Sequence, residues 1–142
     1  MLALKDITKR FHKGSINEVL ALNGVELDID KGDFITVIGS NGAGKSTTLN
    51  CIAGAFYPDK GSITLNGQDI TGWPEYSRAK FIGRVFQDPL MGSAASLSIE
   101  ENLALADLRG KRRGLSAGVK ARDRGRYREL LAQIGLGLED RL

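Results

Sequence analysis

A single cysteine, Cys51, stands in the 142 residues, so no disulfide closes within the chain. It falls on the apolar side of a helix-like stretch, which makes it a core residue rather than a nucleophile or ligand. Histidine is as scarce: His12 is the only one, in a turn-like stretch, and it reads as solvated. Three prolines against 18 glycines suit an α/β chain with many short turns. No basic-then-apolar leader opens the sequence, and no apolar run approaches a membrane span. A cytoplasmic chain, soluble or peripheral to a membrane, is the expectation.

What is present is ordinary for one globular domain, with 42% hydrophobic and 26% charged residues. The net charge of +3 is unevenly placed. Residues 109–128 carry nine Lys and Arg against Asp123 alone, a local excess of +8 that leaves −5 elsewhere. Such a block meets an anionic membrane surface, a nucleic acid or an acidic partner, or it is a solvated loop and helix face.

The stretch with most chemistry is Gly39-Ser40-Asn41-Gly42-Ala43-Gly44-Lys45-Ser46-Thr47. Phe34-Ile35-Thr36-Val37-Ile38 before it is β-branched and aromatic, long enough for a buried strand. The residues after it, from Ser46 to Ala53, put hydroxyls first and apolar residues at helical spacing. Strand, glycine loop and helix give G-x-x-x-x-G-K-[ST] the context of a P-loop. Gly39, Gly42 and Gly44 let successive N–H groups turn inward as an anion nest. The helix start adds free N–H groups and the positive dipole end. Lys45 reaches the β and γ phosphates, Ser46 offers its hydroxyl to Mg²⁺, and Thr47 adds a bond to phosphate.

Along the chain, Leu2–Phe11 alternates as a half-exposed strand and His12–Asn17 is a turn. Val19–Ile29 returns as strand with Asn23-Gly24 as a kink, and Asp30–Asp33 is a tight turn. Asn66-Gly67 between two short strands signals a hairpin. Pro74 starts a short helix, and Ile82–Phe86 reads as a further strand. Ser98 with Glu101 forms a capping box ahead of an apolar helix. Gly110–Gly118 is a basic loop. Tyr127–Ile134 is helical, with Leu130, Leu131 and Ile134 on one face and Gly135 at its end.

These residues resemble the ATP-binding cassette of ABC transporters, from about Leu2 to the last residue. Within Gly39–Thr47 the loop is similar to the cassette Walker A. Pro58, Gly61, Ile63 and Gly67 match the hairpin that follows it, and Ser98–Leu103 resembles the opening of the helical subdomain. The resemblance implies an α/β fold: a P-loop NTPase core with an N-terminal antiparallel β-subdomain and the start of a helical subdomain. The boundaries it implies are 1–33, 34–88 and 89–142. Phe11 falls where the family stacks an aromatic on adenine. Gln87, 42 residues after Lys45, looks like the Q-loop glutamine that helps hold Mg²⁺ and the attacking water. The nucleotide set is then Phe11, Gly39, Ser40, Asn41, Gly42, Ala43, Gly44, Lys45, Ser46 and Thr47. Lys45 and Gln87 carry catalysis, and Ser46 and Gln87 the metal.

The resemblance implies ATP and Mg²⁺ as cofactors and a parent ATPase that drives transport, import rather than export. Its partners would be transmembrane permease subunits, a second ATPase subunit and a substrate-binding protein, at the cytoplasmic face of the membrane. Two other readings are a soluble ABC-type ATPase acting on nucleic acid or ribosomes, and a nucleotide-binding module without turnover. The position of the basic block after Gln87 favours the transporter over nucleic acid.

The departures from the family are specific. Leu103-Ala104-Leu105-Ala106-Asp107 mimics an apolar strand ending in Asp, yet sits inside the capped helix with Leu108 where Glu is wanted. Leu115-Ser116-Ala117-Gly118 mimics the LSGGQ-like signature but continues Val119-Lys120 and comes too early. The expectation is a chain truncated before the signature, the catalytic Asp-Glu and the switch histidine. Such a chain binds nucleotide without efficient turnover and leaves apolar edges prone to association.

Overall fold

Apolar spacing in the first strand is not strictly two: Leu4 and Ile7 are both buried although three residues apart. In the computed structural model, which describes residues 1–111 and 118–142, a bulge explains it. Strand β1 (Leu2–Phe11) shifts register between Leu4 and Ile7 against β2 (Val19–Ile29). Asp6 takes a φ of 50° there, so the extra residue turns Ile7 back to the core. Gly61 is the neighbour that allows this. Its φ is 90°, and a Cβ on it would overlap the carbonyls of Lys5 and Asp6.

Strand β3 (Lys60–Leu65) pairs antiparallel with β1, and β4 (Gln68–Asp69) with β3. The sheet runs β2-β1-β3-β4. Asn66 and Gly67 turn the last hairpin with φ values of 51° and 80°, the left-handed pair that Asn-Gly favours. Helix α1 (Lys45–Ala53) follows the glycine loop. Leu4, Ile7, Leu22, Cys51, Ile63 and Ile70 form the core, and Cys51 contributes as a core residue from α1. Helix α2 is one turn, Glu75–Arg78, with Pro74 at its N-cap. These elements belong to the first of two units, Met1–Ile82; the second is Gly83–Leu142.

Two expected strands are not strands. Residues 34–38 take no ladder, and Phe34 and Ile38 are 96% and 88% exposed. Residues 82–86 likewise have no strand, and Val85 is 97% exposed. A strand is made by its neighbours' N–H and C=O groups. The four strands pair only with one another, so among the described residues neither run has a ladder to join.

In the second unit, α3 (Ile99–Asp107) begins with the expected capping box. Ser98 Oγ accepts from Glu101 N–H at 3.2 Å, and Glu101 Oε2 accepts from Ser98 N–H at 2.8 Å. Asn102 fastens the preceding loop, its amide donating to the carbonyls of Ala94, Leu97 and Ser98. Helix α4 covers Arg124–Ala132, starting one turn earlier than the sequence suggests. Its buried pair is Tyr127 and Leu131, four apart, while Leu130 and Ile134 are 45% and 57% exposed. The face expected from Leu130, Leu131 and Ile134 is thus rotated toward Tyr127, whose ring offers more area to bury than either aliphatic chain.

Candidate functional site

Gly44 places the glycine loop. Its φ is 85° at the N-cap of α1, and a Cβ on it would lie 2.7 Å from the Ala21 carbonyl oxygen and 2.8 Å from Leu22 Cδ2. Only glycine lets the loop press against β2 so closely. Gly42 shares the positive φ, while Gly39 faces Ala43 Cβ. Ser40 accepts from Ala43 N–H at 3.2 Å, which closes the turn through Asn41 and Gly42. The residues Gly39, Ser40, Asn41, Gly42, Ala43, Gly44, Lys45, Ser46 and Thr47 therefore form one continuous loop and helix start.

The first hydrogen bond of α1 runs from Thr48 N–H to Gly44 O at 2.8 Å. The N–H groups of Lys45, Ser46 and Thr47 precede it and have no partner within the helix. They lie at the positive end of the dipole. Lys45 Nζ donates to the carbonyls of Gly39 and Ser40, both at 2.7 Å. The loop thus wraps its carbonyls round the lysine and leaves N–H groups free for an anion. No acid or hydroxyl caps the helix by a side-chain bond, so an incoming anion meets no competitor there. The donor set suits phosphate.

No group of three or more His, Cys, Asp and Glu among the described residues could hold a metal ion. A divalent cation here would be carried mainly by phosphate oxygens, with the exposed Ser46 hydroxyl as the loop's ligand, as Mg²⁺ prefers. Gln87 belongs to the second unit and Lys45 to the first.

Phe11 ends β1, half-buried, and packs edge-on against Phe56 at 5.2 Å between centroids. Lys9 Nζ sits 5.7 Å from the Phe11 ring centre and 3.7 Å from Asp59. Asp59 accepts the neighbouring Arg10 N–H at 2.6 Å, and that bond draws its carboxyl below the usual range. Glu18 is lowered likewise, by Gly14 N–H first and then by Arg10. Sequence reading misses this pair of carboxylates, which fix the turn beside Phe11. His12 lies in that turn and is exposed.

Sequence reading also misses Arg78, buried to 1% exposure. Arginine is seldom buried without a carboxylate, and the acceptors of Arg78 are backbone carbonyls, which leave no mark in the sequence. The basic block is partly structural. Arg124 forms two bonds to the buried Glu100 at 2.6 and 3.1 Å, and Arg126 meets Asp107 at 2.7 Å. Asp107 ends α3, not a strand, and Arg126 lowers its pKa. Leu115, Ser116 and Ala117 lie outside the described residues.

The sequence model described as ABC transporter matches residues 22–142. The chain is 41% identical over 111 residues to a tyrosine transport ATP-binding protein of Clostridioides difficile, covering 78% of this chain and 44% of that protein. It is 35% identical over 140 residues to the methionine import ATP-binding protein MetN of Escherichia coli, covering 96% and 38%. The chain spans less than half the length of either relative. Among solved structures, it is similar to the dimeric post-hydrolysis ATP-binding cassette MJ0796 bound to ADP and Pi. That match has a TM-score of 0.73 at 31% identity and covers 94% of this chain and 57% of the other.

Proposed function

From the premise that the chain belongs to the ABC transporter family, we propose that it is the nucleotide-holding part of a transporter's ATP-binding subunit. That subunit couples ATP binding and hydrolysis to movement of a solute across a membrane. The observation that carries the reading is the start of α1. There, Lys45, Ser46 and Thr47 present unpaired N–H groups beside a lysine already seated in the loop.

In this reading Gly39, Ser40, Asn41, Gly42, Ala43 and Gly44 form the phosphate cradle, Ala43 by closing its turn onto the Ser40 carbonyl and the others by backbone N–H. Lys45 moves from the loop carbonyls to the β and γ phosphates. Ser46 contributes its hydroxyl to Mg²⁺, and Thr47 a bond to phosphate. Phe11 offers a π face to adenine beside its contact with Phe56. Gln87, where the family has its Q-loop glutamine, would offer its amide oxygen to Mg²⁺ and water. Mg²⁺, when bound, supplies charge neutralisation between the phosphates.

The partners we assign are transmembrane permease subunits, a second ATPase subunit and a substrate-binding protein, with the chain at the cytoplasmic membrane face. Among the described residues no helix is long and apolar enough to cross a membrane. The dimeric cassette structure supports the second subunit, and the name of the methionine import relative supports uptake. Isothermal titration of the purified chain with ATP·Mg²⁺ tests the reading. Saturable binding at one site per chain is the expected result; no heat above that of adenosine alone would reject it.

A further inference from the structure

Helix α1 has a second charged end. At its N-terminus lies the phosphate cradle, and at its C-terminus the guanidinium of Arg78. Four donations leave that group. Nη1 donates to Cys51 O at 2.7 Å and to Ile52 O at 3.0 Å. Nη2 donates to Thr71 O at 2.9 Å, and Nε to Trp73 O at 2.9 Å. All four acceptors are backbone carbonyls, two of them in the last turn of α1. Asn50 O, one residue earlier, takes N–H groups from Gly54, Ala55 and Phe56. The carbonyls of Asn50, Cys51 and Ile52, which the helix end leaves open, are thus closed by this arginine and the turn at Gly54.

The fit is tight. Gly54 has a φ of 86°, and a Cβ there would lie 2.8 Å from Arg78 Nε and 3.1 Å from Trp73 O. Burial alone penalises the charge and lowers the arginine pKa. What offsets the penalty is the negative end of the helix and the carbonyl dipoles around it. The same group reaches the sheet, because Thr71 Oγ1 accepts Ile63 N–H of β3 at 2.8 Å. One side chain thereby fixes α1 along its axis relative to β3.

We propose that Arg78 is a positioning residue for the phosphate loop, acting through α1 and touching no nucleotide. The helix is nine residues, about 13 Å, long. A slide or tilt at its C-terminus would shift the N–H groups of Lys45, Ser46 and Thr47 at its other end. A cation at one end and an anion at the other also complement the same dipole. The inference rests on the nucleotide reading above. By reciprocity, whatever Arg78 does for phosphate, phosphate does for Arg78.

Two measurements on the full 142-residue chain test this. In the first, Arg78→Lys keeps the charge and loses the fork. ATP·Mg²⁺ affinity should fall roughly tenfold, within the usual range of coupling between sites, at a temperature where circular dichroism shows the variant fully folded. Affinity within about twofold of the parent in the folded variant overturns the proposal while leaving the nucleotide reading intact. In the second, the unmutated chain is used, so folding of the variant is not at issue. Hydrogen exchange of the Arg78 Nε–H, followed by NMR, should slow several-fold when ATP·Mg²⁺ saturates the site. Unchanged exchange at saturation overturns the proposal. No ATP binding by the unmutated chain rejects the nucleotide reading, and this inference falls with it.

Discussion

The ammonium of Lys45 lies 2.7 Å from the carbonyl oxygen of Gly39, a contact made across six residues of loop. The lysine is therefore part of the loop's own architecture before any ligand arrives. On the nucleotide reading proposed above, the lysine would exchange these carbonyl partners for phosphate oxygens, which are stronger acceptors for a cation.

Lys45→Ala should weaken ATP·Mg²⁺ binding by roughly 10- to 100-fold, the scale of a lost hydrogen bond to a charged group. Titration calorimetry reads the loss. Unaltered affinity would show that the loop N–H groups suffice without the lysine.

Gly44→Ala tests the approach of the loop to β2. The new Cβ would meet the Ala21 carbonyl and Leu22 Cδ2, and a φ of 85° strains any side chain. Stability should fall by roughly 1–3 kcal/mol, with loss of ATP binding. A urea midpoint equal to the parent's would mean that the loop stands clear of β2.

The two leucines of α4 should behave oppositely. Leu131 is 5% exposed and Leu130 45%. Leu131→Ala should cost about 2–5 kcal/mol in denaturant unfolding, and Leu130→Ala about 0.5 kcal/mol or less. Equal costs would restore the helix face that Leu130 and Ile134 imply.

Acid should release Phe11. Asp59 and Glu18 have folded pKa values below those of free carboxylates, which are about 3.9 and 4.3. Their contribution is therefore present above those values and disappears as pH falls through the lower folded ones. The Phe11–Phe56 contact, followed by NMR cross-peaks, should be constant from pH 8 to about 5 and weaken only below about 4. Loss of the contact near neutrality would point away from these carboxylates. Asp59→Asn should weaken it at every pH.

Local chemistry was readable in the sequence wherever a few adjacent residues decide the outcome. Asn66-Gly67 names its own turn, Ser98 with Glu101 its own cap, and Gly42, Gly44 and Lys45 the loop. The long alternation of Leu2–Phe11 gave the strand, though not the bulge at Asp6, which depends on Gly61 more than fifty residues away. Phe34–Ile38 has strand composition but no ladder, since pairing is a property of neighbours. Arg78 was invisible for the same reason: its acceptors are carbonyls, and a carbonyl has no residue type. The charge count over 109–128 could not show that Glu100 and Asp107 already engage Arg124 and Arg126.

Cys51 is the sole thiol of the chain, fully enclosed on the core-facing side of α1, and burial raises its pKa. A thiol-selective dye therefore has one target, and only when the helix lifts from the sheet. The labelling rate is a clock for that opening, carried by the native sequence and needing no engineered probe.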